Sequence, residues 1–371
     1  MIIPDFKTEG VKYMGSKKEM IPHIYDIIKD LDIKTAFDGF AGTTRIGQFL
    51  KKLGINVISN DINVWSRTFG ECYLLNKFSK IHYDSLIQEL NELTPIDGWF
   101  TENYGGKDTC GSSIQEDGKK KIWQLHVTQK LDAIRTKIEE WLDINKINKI
   151  EHSVLLTSLI IALDKVDSTL GHQVSYLSDW SKRSYNKLEL RTPNFIINDT
   201  KNTVDAADTL MLNKTVKPDL AYFDPPYGSS NDIMPSSRVR YGQYYHLWKT
   251  VVLNDEPNLA GRINKRSDAN TTNTYSVFED YRKTIEGKFL AQIAIESLID
   301  NSLAKYILLS YNTNARVPIP YIISYLDEHE YDYRLHYIDY KMNVMSSMIS
   351  SREWLNLTGK TNYEMLLLIS K

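Results

Sequence analysis

The chain has 371 residues, 42% of them hydrophobic, enough to bury the core of one large or two modest domains. A net charge of −2 excludes a uniformly basic nucleic-acid binder but leaves room for a local basic face. Two cysteines, Cys72 and Cys110, are too few for a disulfide framework or a structural zinc site, so a reducing cytoplasm is expected.

The opening MIIPDFKTEG carries acids and no long apolar core, so no secretory signal is expected. Apolar residues at helical spacing (Met20, Ile24, Ile27, Ile28, Leu31) predict an amphipathic helix over Glu19–Leu31, after the loop KYMGSK. Thr35–Phe37 reads as a short strand. DGFAGTT follows, then a helix with Ile46, Phe49, Leu50 and Leu53 on one face, ended by Gly54. Asn56–Ser59 reads as a second strand, closed by Asn60-Asp61. Strand, glycine turn, helix, strand and acid make the first half of a doubly wound α/β nucleotide fold. From Val64 to Arg191 helical patterns replace the alternation: Trp65–Leu75, His82–Leu93, Trp123–Trp141 and His152–Asp164. VLLTSLIIAL, from Val154, is far too short to span a bilayer and reads as a buried helix. Sheet rhythm is expected again at Phe195–Ile197 and Asp219–Phe223. A long polar segment runs from Gly228 to Tyr275. Then come a helix over Phe289–Ile299, a strand over Tyr306–Ser310, and a closing antiparallel pair, Tyr333–Tyr340 with Tyr363–Ile369.

Three stretches suit chemistry. Asp61 ends a strand, where such folds grip a ribose diol, although an acid there also caps the following helix. In DGFAGTT, Gly39 and Gly42 permit close backbone approach to a ligand. The spacing is neither a dinucleotide fingerprint nor a phosphate loop, which favours another adenosine-bearing cofactor. YFDPPYG is the most specific. Asp224 falls where a buried strand stops, and Pro225 and Pro226 stiffen the turn beyond it. An exocyclic amine on a base is a weak nucleophile because its lone pair is delocalised. Two acceptors aimed at its hydrogens, the Asp224 carboxylate and the Pro225 carbonyl, favour the tetrahedral geometry that attack requires. Tyr227 suits stacking on an extruded base. This chemistry alone permits N6-adenine or N4-cytosine methylation in DNA, and also methylation of RNA or of a protein glutamine. A cytosine-C5 enzyme needs a reactive thiolate, usually after proline. Cys72 follows Glu71 and Cys110 follows Thr109.

KYMGSK at Lys12–Lys17, DGFAGTT, SNDIN at Ser59–Asn63 and DPPY at Asp224–Tyr227 together resemble the D12-class adenine-specific DNA methyltransferases. In pattern they are closest to the FokI-type restriction-modification methylases. The similarity continues through KLDAIRTKIEEW, LIIALDKVDSTLGHQVSYLSDW, YYHLW and ILLSYNT, in the family's order. It implies a mostly parallel Rossmann-like methyltransferase sheet with an antiparallel closing strand. The catalytic domain would be residues 1–63 and 192–371, and residues 64–191 a helical target-recognition insertion. The implied cofactor is S-adenosylmethionine. Tyr13 and Lys17 would contact it, and the turn Asp38, Gly39, Phe40, Gly42, Thr43 and Thr44 would wrap its methionine end. Asp61 would take the ribose and Ile62 the adenine face. Asp199 would accept from the adenine amine, with Asp224 beside the transferred methyl. The family usually carries a second glycine where Thr44 stands.

The implied partners are double-stranded DNA and a cognate restriction endonuclease acting on the same site, in a bacterial or phage cytoplasm. No metal and no membrane are implied. Lys182, Arg183, Arg238, Arg240, Tyr241 and Tyr245 combine cations with aromatics in the manner of phosphate and stacking contacts. A DNA-binding protein with an inactive methylase fold is the alternative of a different class, but it would be expected to have lost Asp224 or Tyr227. A nicotinamide dehydrogenase fits worse, because the glycine spacing fails.

Overall fold

A computed structural model describes residues 4–228, 241–270, 276–339 and 363–371. In chain order the main elements are α1 (Ile21–Ile28), β1 (Thr35–Asp38), α2 (Arg45–Lys52), β2 (Asn56–Asn60), α3 (Val64–Gly70), α4 (Lys80–Glu92), α5 (Trp99–Tyr104), α6 (Leu125–Asp143) and α7 (Lys149–Val166). Then follow β3 (Thr203–Asp205), β4 (Leu220–Phe223), α8 (His246–Leu253), α9 (Leu290–Asn301), β5 (Tyr306–Asn312), α10 (Ile319–Glu328), β6 (Asp332–Asp339) and β7 (Tyr363–Ser370). The chain divides into two compact units. The first holds residues 1–22, 41–206 and 241–274, and the second holds 23–40, 207–240 and 275–371. The helical insertion expected over 64–191 lies wholly inside the first unit.

In the second unit five strands run in the order β6-β7-β5-β4-β1. β1 pairs parallel with β4, and β4 parallel with β5. β7 is antiparallel to both β5 and β6. Parallel strands covered on both faces read as apolar runs, and β4 is buried at all four positions. The α/β class, with mostly parallel strands and an antiparallel closing strand, is therefore observed. One pairing device is specific: the Asp219 carboxylate accepts from the amides of Lys34 and Thr35 at 2.9 and 2.8 Å, fixing the start of β1 against β4.

In the first unit β2 pairs parallel with β3. Around them lies a helical core built on α7, whose residues are buried almost all round, as the VLLTSLIIAL stretch predicted. Its start is secured by a capping box: Asn148 accepts from the amides of Ile150 and Glu151, and Glu151 accepts from the amide of Asn148. The helix expected over Trp65–Leu75 is interrupted. α3 stops at Gly70 and widens into a π turn over Glu71–Leu75. The carbonyls released there are not wasted. The buried Lys51 ammonium donates to Tyr73 O and Leu74 O at 3.0 Å each, and burial pushes its pKa down to about 8.

One expected strand is corrected. No strand forms over Phe195–Ile197. The Asn194 amide goes to the Glu9 carboxylate and the Phe195 amide to Pro193 O, so they are not offered to a ladder. The strand forms instead at Thr203–Asp205, whose register sets Asp205 opposite Asn60 of β2. The polar segment after Gly228 contains, in its described part, helix α8 and a small hairpin, Leu259–Ala260 with Lys265–Arg266. Among the described residues no helix is long and apolar enough to cross a membrane.

Candidate active site

The second unit presents the DPPY corner. β4 ends at Phe223, and Asp224 to Tyr227 leave the sheet at its carboxyl end, where ligands bind in open α/β sheets. Each proline restricts the residue before it to extended backbone, so Pro226 fixes the Pro225 carbonyl and Pro225 fixes Asp224. The turn is tied at its far side, where the Arg316 amide donates to Tyr227 O at 2.8 Å. Gly228 follows in a left-handed conformation, φ +63°, with no room for a side chain next to Arg316 and Glu279. The Tyr227 hydroxyl lies 2.6 Å from Asp224 Oδ1 and 2.5 Å from Glu364 Oε1. Its pKa is pushed well above the ordinary tyrosine value, first by burial of the hydroxyl and then by the two carboxylates. The Tyr227 ring stays partly exposed and packs edge-on against Tyr311 at 5.1 Å.

Beside that corner, at the end of β1, Asp38 is buried and the Gly39 amide donates to Tyr222 O at 3.0 Å. A Cβ on Gly39 would come within 2.9 Å of Phe223 and Thr209, so only glycine fits between them. Phe40 stands edge-on to Phe223 and Phe278.

After Phe40 the same loop continues in the first unit, where it forms a cradle. Gly42 has φ +49°, and a Cβ there would meet the Tyr13 ring at 3.1 Å. Tyr13 therefore lies directly on the glycine turn, backed by Tyr245 and Trp65 at 4.7 and 5.7 Å. Asp61 Oδ2 accepts from the Gly42 amide, and Oδ1 from the amide and side chain of Asn63, all at 2.9 Å. The carboxylate expected to grip a ribose is thus also the staple of the glycine turn. Burial raises its pKa, and these donors oppose the rise. Thr44 is fully buried at φ +59°, a conformation that costs a β-branched residue energy and that glycine would adopt freely. Thr43 is buried beside Gly10. Lys17 is also buried, its ammonium donating to Gly15 O at 3.2 Å. Ile62 is 72% exposed, an apolar side chain standing in the open beside Asp61.

Asp199 does not join this group at a strand end. It is exposed at a bend ahead of β3, because the strand expected before it is absent. Asp205, which the sequence reading passed over, ends β3 beside Asn60 and occupies the strand-end position meant for Asp199. Its signal was the pair Thr203-Val204, which suit a strand, ahead of an acid.

The basic and aromatic residues separate. Lys182 is exposed. Arg183 turns inward: Nε and Nη2 donate to the carbonyls of Asp167 and Thr169 at 2.8 Å each, and Nη2 pairs with the Asp167 carboxylate. Tyr245 is enclosed in the aromatic cluster behind Tyr13, and its hydroxyl accepts from the Met14 amide at 2.6 Å. As placed, it packs and presents no open face to DNA. Arg238 and Arg240 lie outside the described residues, and of Tyr241 only the backbone, in a helical turn, is described. His246 and Trp248 are buried and serve packing. Cys72 is buried too, and burial pushes its thiol far up, away from the reactive thiolate of a C5 enzyme. Among the described residues no His, Cys, Asp or Glu cluster could hold a metal ion.

A family model for D12 class N6 adenine-specific DNA methyltransferases matches residues 13–317. The modification methylase StsI of Streptococcus sanguinis is 30% identical over 329 residues, 87% of this chain and 47% of that protein. The type II methyltransferase M.FokI of Planomicrobium okeanokoites is 26% identical over 346 residues, 89% of this chain and 49% of that protein. The type II methyltransferase M.NlaIII of Neisseria lactamica is 27% identical over 364 residues, 95% of this chain and 100% of that protein. The chain spans about half the length of the first two and the whole of the third. With its glycine turn, its strand-end acids and its DPPY corner all inside the matched stretch, the chain belongs to the D12 class of N6 adenine-specific DNA methyltransferases.

Proposed function

We propose that the chain transfers a methyl group from S-adenosylmethionine to N6 of an adenine extruded from double-stranded DNA, as the modification enzyme of a restriction-modification system. The observation that carries this reading is the rigid Asp224–Tyr227 corner at the end of β4, its carboxylate fixed by the Tyr227 hydroxyl at 2.6 Å. A modification methylase and type II methyltransferases among the relatives support it.

The chain's own residues do three things. Tyr13 on Gly42, the exposed Ile62 and the acids Asp61 and Asp205 form a surface that fits an adenosine, with a flat aromatic cradle, an apolar cover and two acceptors. When bound, S-adenosylmethionine supplies a methyl carbon on a positive sulfur. The Asp224 carboxylate and the Pro225 carbonyl accept from the two hydrogens of N6, which draws the nitrogen lone pair out of the ring. As the new N–C bond forms, the methyl carbon's bond to sulfur breaks and leaves a neutral thioether, N6 gains positive charge, and Asp224 accepts the departing proton. Tyr227 offers its partly exposed ring to the base. Asp205, rather than Asp199, accepts from the cofactor's adenine amine. Of the basic residues, the exposed Lys182 contacts phosphate in this reading, while Arg183 holds the fold. This work belongs where bacterial or phage DNA is, in the cytoplasm, together with a nuclease cutting the same site.

The test is expression in a methylation-deficient host, followed by mapping of modified bases by single-molecule sequencing. N6-methyladenine at one short motif is expected. N4-methylcytosine at a motif, or no modified base, would overturn the reading. Asp224→Ala is expected to bind S-adenosylmethionine like the wild type, measured by calorimetry, while methyl transfer falls at least 100-fold, on the order of losing one aimed acceptor.

A further inference from the structure

β7 carries an acid where the fold does not call for one. Its sequence YEMLLLIS is apolar from Met365 to Ile369, and Glu364 is only 4% exposed among them. A buried carboxyl group is costly unless hydrogen bonds offset the loss of water. Glu364 Oε1 accepts from the Ser310 hydroxyl of β5 at 2.9 Å and meets the Tyr227 hydroxyl at 2.5 Å. Oε2 is 3.4 Å from the Asn312 side-chain amide, also on β5. Across the pair β7–β6, Glu364 stands opposite Ile338, so that side offers it no charge at the paired position.

The Tyr227 hydroxyl has one proton and faces two carboxyl oxygens, Asp224 Oδ1 and Glu364 Oε1. That hydrogen can be given to only one of them at a time, and the Ser310 hydroxyl also lies 3.3 Å from the Tyr227 oxygen. The three groups therefore form one unit, Asp224–Tyr227–Glu364. Among the described residues, the Tyr222 hydroxyl also bears on Tyr227, and Asp38 in turn acts on Tyr222.

The geometry points to Glu364 as a positioning residue of the methyl-transfer centre: from the closing strand it fixes the Tyr227 hydroxyl, and through it the Asp224 carboxylate. Glu364 lies beyond residues 13–317, the stretch matched by the family model, so the motifs themselves do not contain it. The inference deepens the methyltransferase reading and rests on it.

The experiment uses the full chain with S-adenosylmethionine and duplex DNA. Glu364→Ala is expected to lower the single-turnover methyl-transfer rate 10-fold or more, on the order of a misaligned acceptor, with S-adenosylmethionine affinity unchanged. Glu364→Gln keeps the shape and an oxygen acceptor for the Ser310 and Tyr227 hydroxyls, so it is expected to recover most of the rate. In a double-mutant cycle with Tyr227→Phe the effects should not add, because Glu364 acts through that hydroxyl. A wild-type rate in Glu364→Ala, or additive losses, would overturn the inference. A second readout does not depend on turnover. The ring carbon resonance of Tyr227, labelled with carbon-13 and assigned by its loss in Tyr227→Phe, should move in Glu364→Ala and return in Glu364→Gln. An unmoved resonance sinks the inference whether or not the chain methylates DNA. A wild type that transfers no methyl group, with the resonance behaving as expected, sinks the functional reading alone.

Discussion

Asp205 and Asp199 separate two ways of locating a binding residue. Asp199 matches a family pattern by its neighbours in the sequence, Asp205 by its place at the end of β3 beside Asn60. An acceptor for a cofactor amine must be held in position, and a strand end paired to β2 holds it better than an exposed bend. Asp205→Ala is therefore expected to weaken S-adenosylmethionine binding by about 10-fold, the scale of one hydrogen bond to a polar ligand group. Asp199→Ala should leave it unchanged. Calorimetric titration of both variants checks this, and the opposite pattern would restore the original assignment. Asp61 carries a further lesson at this scale. One carboxylate closes the glycine turn through the Gly42 amide and is also the proposed ribose acceptor, so its replacement would disturb loop and ligand together. Asp224 is the cleaner probe of chemistry.

The elements were legible where their pattern is strong. β1, β2, β4, β5 and β7 were read from short runs of apolar residues, as strands covered by the core show themselves, whereas β6, DYRLHYID, is half-buried or exposed and was read only as the partner of β7. α7 was read from VLLTSLIIAL for the same reason. β3 was missed because it has partners on one side only and its residues are half-buried or exposed, so its composition says little. Phe195–Ile197 was mistaken for it because an apolar run can pack without pairing, as Phe195 does on Tyr83 at 5.6 Å. The π turn after Gly70 had no sequence signal, since Lys51, which donates to its surplus carbonyls, is distant in sequence. In the site, the DPPY corner and the glycine turn were readable as motifs. Glu364 was not, because only the antiparallel closing strand brings it to Tyr227. Helix α7 also carries a testable electrostatic feature. Asp164 is buried near its end, and its pKa is raised to about 6, chiefly by burial, with Asp167 adding to the rise and Lys12 opposing it. The ordinary value in an unfolded chain is about 3.9. Between these values the folded state holds a proton that the unfolded state has lost. Stability contributed below pH 4 is therefore lost as pH rises toward 6, by about 3 kcal/mol at most. Asp164→Asn keeps an oxygen for the Lys12 amide and cannot ionise. Its stability relative to wild type should rise from pH 4 to pH 7 in urea titrations, and a constant difference would count against the assignment.

At the scale of the whole molecule, a net charge of −2 gives no general attraction to DNA. In the proposed reading, affinity for DNA comes from local cations, each replacing counterions on a phosphate, and weakens with salt according to their number. The structure divides two neighbouring cations that composition cannot tell apart. Lys182 is exposed, whereas Arg183 commits Nε and Nη2 to Asp167 and Thr169, fastening Lys182–Tyr185 to the chain just beyond α7. Lys182→Ala should therefore weaken DNA binding evenly across sequences and reduce the slope of log affinity against log salt by about 1, with thermal stability unchanged. Arg183→Ala should do the reverse. It leaves the buried Asp167 carboxylate with one partner fewer and should cost about 1–3 kcal/mol of stability. Its salt slope should stay at the wild-type value under conditions where the variant remains folded. Fluorescence anisotropy over a salt series, paired with urea melts, reads both quantities on the same preparations. If Arg183→Ala flattened the salt slope without a change in stability, the inward arginine would be a phosphate contact, and this division of labour would be wrong.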